Sequence, residues 1–218
     1  MKKFLFLSAL IMSAHVGYSQ SEISAYYGVT FPTGIKGSAS DIDVLYNQMA
    51  GLQYGYQFKL SSSIFVIPQI GISSSAYIMD GQFTKSISGT YTFENTPNNY
   101  SQNLVRISSV KLPVFIGCIM PSDSSSRHQV QLSAGPYIEY IFNSVQQYKI
   151  AGKKFKSDMP VQNTFQGGVM VDIGIVPKKL DKLSLSWHFG GFYQVTNYLS
   201  GVKSFKPLGC YIGVGFRF

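Results

Sequence analysis

The last twelve residues, Pro207-Leu-Gly-Cys-Tyr-Ile-Gly-Val-Gly-Phe-Arg-Phe218, constrain the fold more than any other stretch. Leu208, Cys210, Ile212, Val214, Phe216 and Phe218 share one parity, and Gly209, Tyr211, Gly213, Gly215 and Arg217 share the other. A strand turns alternate side chains to opposite faces, so one face here is wholly apolar and the other small or polar. The pattern runs on to an aromatic last residue. Such a strand is expected where its apolar face meets lipid and where it pairs with the first strand, leaving no open edge.

The N-terminus reads as an export signal. Lys2 and Lys3 precede an apolar run from Phe4 to Ala14, and Gly17 and Ser19 are small residues before a cut at Gln20. The run is too short to span a bilayer as a helix. The expected organisation is a signal peptide over 1–19 and one β domain over 20–218. Cleavage removes two of 18 basic residues and none of 10 acidic ones, leaving a net charge of +6. No other stretch offers the ~18 apolar residues of a membrane helix, so any spanning is done by strands.

Eight segments alternate with period two. On one parity lie Ile23 to Phe31, Leu52 to Leu60, Ile64 to Ile78, Val110 to Cys118, Val130 to Phe142, Phe165 to Ile175, Leu183 to Val195 and Leu208 to Phe218. Long connections follow the first, third and fifth segments, a moderate one follows the seventh, and short ones follow the rest. The predicted fold is all-β: an eight-stranded antiparallel up-and-down transmembrane barrel with short periplasmic turns and longer outer loops. Aromatics on the apolar parity sort into two belts. Phe58, Trp187, Phe216 and Phe218 lie toward the short-turn end, and Phe31, Tyr140, Phe142, Phe165 and Tyr193 toward the loop end. The belts and the loop asymmetry favour lipid outside over a soluble barrel with its apolar face inward. Pro68, Pro113 and Pro136 fall within strands and are expected at local bulges. Cys118 and Cys210, on strands opposite one another, are expected as free thiols facing lipid.

Ser133-Ala-Gly-Pro-Tyr-Ile-Glu-Tyr140 resembles the "aGPYigY" strand of PorT-like outer-membrane β-barrel proteins, and Val110-Lys-Leu-Pro-Val114 resembles the strand before it. Asp172-Ile-Gly174, Tyr193-Gln-Val-Thr-Asn197 and the Phe-Arg-Phe ending are similar to further segments, although Val195 stands where that family's "YqyGLtN" carries Gly. The resemblance implies an eight-stranded barrel in the outer membrane of a Bacteroidota-type bacterium. It also implies, for some members, assistance to a type IX secretion system.

Several side chains on the lumenal parity invite chemical readings. Asp172 and His188 are expected directly opposite on neighbouring strands, with Ser184 and Ser186 on the same face. A carboxylate-oriented imidazole beside a hydroxyl is the apparatus of general-base chemistry. The plainer reading is a polar filling of a narrow barrel, whose interior is just wide enough for side chains. Lys111 and Glu139, near-diagonal on the fourth and fifth strands, join Lys59 and Arg217 in a lumen of mixed, paired charge. Lys149, Lys153, Lys154 and Lys156 concentrate in a loop from about Gln146 to Pro160, with Lys203 and Lys206 in the last. Those lysines read as solvated loop charge or as contacts to anionic lipopolysaccharide or an acidic partner. No catalytic set, metal site or cofactor motif is assigned, and no nucleic-acid role is expected. The functional expectation is a non-enzymatic outer-membrane barrel whose loops, about Met79–Asn103 and Gln146–Pro160, bind lipid or another envelope protein. The alternatives are a lipid-modifying enzyme using the Asp172–His188 pair and a small solute pore.

Overall fold

A computed structural model describes residues 20–33, 44–79, 82–85, 91–94, 100–123, 125–150, 153–159, 161, 163–178, 183–197 and 205–218. The expected signal peptide, Lys203 and parts of the long loops lie outside the described residues. Eleven strands appear in chain order: β1 (Gln20–Thr33), β2 (Val44–Lys59), β3 (Ile64–Met79), β4 (Gln82–Lys85), β5 (Tyr91–Glu94), β6 (Tyr100–Ile119), β7 (His128–Ile150), β8 (Lys153–Asp158), β9 (Phe165–Pro177), β10 (Ser184–Gln194) and β11 (Lys206–Arg217). Eight of them, β1, β2, β3, β6, β7, β9, β10 and β11, close a ring through antiparallel neighbours. The β6–β7 ladder completes it on one side and the β1–β11 ladder on the other.

The apolar parity faces outward. Ile23, Leu52, Ile72, Leu112, Ile138, Val171, Phe189 and Ile212 are exposed, while their neighbours Ser24, Ser73, Lys111, Glu139, His188 and Tyr211 are buried. A water-soluble barrel would invert this arrangement, because its apolar side chains must leave water. All nine aromatics placed in the two belts lie on the outward face.

Three expectations of local structure are corrected. The stretch from Gln146 to Asp158 is mostly not loop: β7 continues to Ile150 and pairs with β8 as a ribbon. Similarly, β4 and β5 pair within the connection after β3, and β6 starts at Tyr100. Polar and lysine-rich composition reads as loop, but beyond the membrane a ribbon needs no apolar face. The prolines do not sit at bulges. Beside each, two rungs of a ladder are missing and the register is unchanged on either side, as at Pro68–Gly71 opposite Lys111–Val114. A proline removes one donor without lengthening its strand. The register shifts instead at Ser108/Ser109, where Phe142 is the extra residue of β7, and at Ser101/Leu104. Cys118 and Cys210 are free and exposed on opposite sides of the ring.

Candidate functional site

The lumen is layered. At the short-turn end, pairing of β1 with β11 sets Glu22 against Arg217. Arg217 donates from Nε to Glu22 Oε2 at 2.5 Å, and its terminal nitrogens donate to the side-chain oxygens of Gln20, Gln57 and Gln131. His188 stands over the same carboxylate, with Nε2 2.5 Å from Glu22 Oε1 and Nδ1 2.8 Å from Asp172 Oδ2. Ser186 donates to Glu22, and the Tyr211 hydroxyl donates to Asp172 at 3.1 Å. Two half-buried carboxylates, a buried guanidinium and a buried imidazole thus form one network, in which each charge has an opposite or hydrogen-bonding partner. That is the condition under which buried charge is tolerated.

The Asp172–His188 contact arises from an offset. His188 faces Gly174 across the ladder and Asp172 faces Gly190, so the two are diagonal and not directly opposite. The β9–β10 register is shifted by two residues along one strand from the pairing that would set His188 against Asp172. At Gly190, opposite Asp172, the missing side chain leaves room for the Tyr211 ring, whose hydroxyl reaches Asp172. The opposite error holds for Lys111 and Glu139, which are directly opposed, with Nζ 3.8 Å from Oε1. The Lys111 ammonium also lies 4.7 Å from the Phe192 ring centre and 5.5 Å from that of Tyr137, a cation–π position. Glu139 accepts a short hydrogen bond from Ser109, whose Oγ lies 2.7 Å from that of Ser73. Lys59 is half-buried on the lumenal parity near the short-turn rim.

Between these networks lies a layer that contradicts the expectation of a polar lumen. Tyr26, Met49, Phe115, Tyr137, Met170, Phe192 and Tyr211 are buried against one another, with Ile67 packed beside them. These residues sit on the lumenal parity of seven different strands and cross the barrel at mid-height. The signal for them lies in glycine. A Cβ at Gly209 would fall within the Phe192 ring, and one at Gly190 within the Tyr211 ring. Each large ring therefore occupies the space of a missing side chain on the adjoining strand.

Above Lys111 the lumen continues in amides and hydroxyls. Gln194 donates to Gln166 at 3.3 Å and accepts from the Tyr137 hydroxyl, and Asn103 donates to Gln146 at 3.0 Å. Phe205 packs edge-on over Tyr77, with ring centres 5.5 Å apart, and both are buried. In the lower lumen, Gln57 Nε2, Gln69 Oε1 and Gln131 Nε2 have no hydrogen-bond partner. All three residues border a cavity of about 20 Å³, enough for one water. Among the described residues, no group of three or more His, Cys, Asp or Glu could hold a metal.

Outside the lumen, the basic residues 149–156 lie on the ribbon of β7 and β8. Lys153, Lys154 and Lys156 are exposed, and Lys149 faces Lys154 across the ladder. Lys206 begins β11 at the loop end. Glu22, the carboxylate shared by His188 and Arg217, was not among the residues predicted from sequence. Its signal was the terminal pairing itself, since a first strand laid against the last brings Glu22 to Arg217.

No curated protein matches the chain. Solved structures resemble it at low identity. Outer membrane protein OprG from Pseudomonas aeruginosa is 12% identical over 94% of this chain and 97% of its own, with a TM-score of 0.49. A major outer membrane protein from Thermus thermophilus is 12% identical over 93% and 100%, at 0.48, and Ail of Yersinia pestis is 11% identical over 93% and 100%, at 0.40. Residues 13–194, most of the chain, match the family described as outer membrane protein beta-barrel domain. The protein belongs to that family and is an eight-stranded antiparallel barrel of the bacterial outer membrane.

Proposed function

We propose that this barrel is a non-enzymatic envelope protein that holds a binding surface at its loop end. The carrying observation is the length of β7. It has 23 residues, about twice the ~9–11 that cross a bilayer, and its upper part pairs with β8 beyond the lipid-facing wall. A paired ribbon raised on a closed barrel is a scaffold for contact, because binding residues concentrate on segments that a fixed frame presents. The PorT-like resemblance suggests the specific version, an accessory of type IX secretion in a Bacteroidota-type bacterium.

Gentle detergent extraction of the full chain, tagged in a long loop, tests this reading. A stoichiometric envelope protein that co-purifies, and is lost when the β7–β8 ribbon is shortened, supports it. A barrel that always emerges alone overturns the protein-partner form.

One observation favours a second reading. Ser186 Oγ lies 3.2 Å from His188 Nε2, and Asp172 holds Nδ1, in the order of a hydroxyl, base and orienting carboxylate. Against it, Nε2 also faces Glu22, and the group lies inside the barrel beneath the aromatic layer, on the face turned away from lipid. A base needs a reachable substrate proton. Replacing His188 with Ala should leave lipid composition unchanged in cells carrying the variant. A change in acyl chains or headgroups would restore the enzymatic reading.

A further inference from the structure

The lipid-facing parity of β6 and β7 carries Leu112, Ile138, Tyr140 and Phe142, all exposed. Followed toward the loop end, the same outward face changes character. Beyond Ser108 and Asn143 its positions are Arg106 on β6, Val145 and Gln147 on β7, and Lys154, Lys156 and Asp158 on β8. The ladders fix this grouping: Arg106 pairs with Val145 and Val145 with Asp158, Leu104 pairs with Gln147 and Gln147 with Lys156, and Lys149 pairs with Lys154. Directly opposed residues of an antiparallel pair point to the same side of the sheet. Arg106, Lys154 and Lys156 are exposed, and none of the three pairs with a carboxylate among the described residues.

Height decides what this face meets. Arg106 is two residues beyond Ser108, the rung beside Phe142 of the upper aromatic belt. That is about 7 Å along the strand. The headgroup zone extends roughly 5–8 Å past the hydrocarbon on each side of a bilayer, so Arg106 enters it and the two lysines reach through it. Lys154 and Lys156, two residues apart on β8, share this face as like charges, and an anion between them removes their repulsion. The ribbon's other side does not share the pattern. There, Phe155 stacks on Tyr148 with ring centres 5.7 Å apart, and Ser157 accepts from Gln146.

We propose that the outward face of the β6–β7–β8 extension binds the phosphorylated headgroup of an outer-leaflet glycolipid. Arg106 supplies a planar fork to a phosphate, and Lys154 and Lys156 supply point charges above it. The proposal rests on the reading of the loop end as a contact surface, but it uses the side that continues the lipid wall and leaves the tip free.

The test compares the full-length barrel in detergent with a triple variant, Arg106→Gln, Lys154→Gln and Lys156→Gln, by native mass spectrometry with bisphosphorylated lipid A as probe. The triple variant should lose lipid by at least about tenfold, since each basic group near an anionic surface contributes on the order of fivefold. Lys153→Gln, on the other side of the ribbon, should bind as wild type. Dephosphorylated lipid A should bind both proteins weakly and alike, and inorganic phosphate should not displace the lipid. Equal binding by the triple variant and wild type, or an equal loss in Lys153→Gln, would overturn the proposal. The readout is lipid, so it fails separately from co-purification of a protein partner.

Discussion

In the lower lumen Arg217 is 2% exposed and donates to four different side chains. On the ribbon, Lys154 and Lys156 are exposed, and the residue facing Lys154 is another lysine. Both regions are basic positions on β-strands of one molecule, yet they obey different physics. Burial makes an unpaired charge cost several kcal/mol, so every lumenal charge arrives with partners. Exposure screens repulsion to a few tenths, so the ribbon can carry like charges side by side. Charge inside this protein holds the wall together, and charge outside it remains available to something else.

The largest effect expected from that comparison is at Arg217. Arg217→Met leaves Glu22 without its guanidinium and should cost about 3–5 kcal/mol in urea unfolding from lipid vesicles. A loss below ~1 kcal/mol would show that Glu22 does not depend on the guanidinium. Arg217→Lys keeps the charge but not the fork, and should recover only part of the loss. Next comes the aromatic layer. Gly209→Ala drives a methyl into the Phe192 ring and should cost about 1–3 kcal/mol, with much of it returned by adding Phe192→Leu. Lys111→Met and Glu139→Gln, measured singly and together, should show a coupling near 1 kcal/mol. A zero coupling would mean that the rings of Phe192 and Tyr137, not the carboxylate, hold the ammonium. The smallest effect belongs to the ribbon: Lys154→Gln with Lys156→Gln should change stability by no more than about 0.5 kcal/mol. A larger stability loss would make those lysines part of the fold and remove the contrast.

The fold was legible because period two carries its own meaning. Once Leu208, Cys210 and Ile212 share a face, so must Tyr211 and Arg217 share the other, and the loop lengths supply the order of strands. The lumen was less legible. Alternation divides a strand into two faces but does not say that Tyr26, Tyr137 and Phe192 meet across the ring, since that depends on which glycine each ring lies over. Register was legible only to within a residue, which displaced the Asp172–His188 pairing while leaving both on the right face. The ribbon of β7 and β8 was read as loop because outside the membrane neither face has to be apolar, so the signal that defines the other strands is absent there. Arg106 went unnoticed for the same reason. Its place beside the lysines follows from ladders that sequence spacing does not supply.

The pairing of β1 with β11 has a further consequence. The two strands match over a continuous register from Glu22–Arg217 to Thr33–Lys206, and the backbones of Ser21 and Phe218 exchange hydrogen bonds at 3.0 Å in both directions. In bonding terms this junction is a seam like the other seven. The β1–β11 junction is therefore one of eight equivalent seams on a ring that has no preferred beginning. A short tether joining Phe218 directly to Gln20, with new ends cut at Ser61–Ser63 between β2 and β3, should give a circularly permuted barrel that closes into the same cylinder.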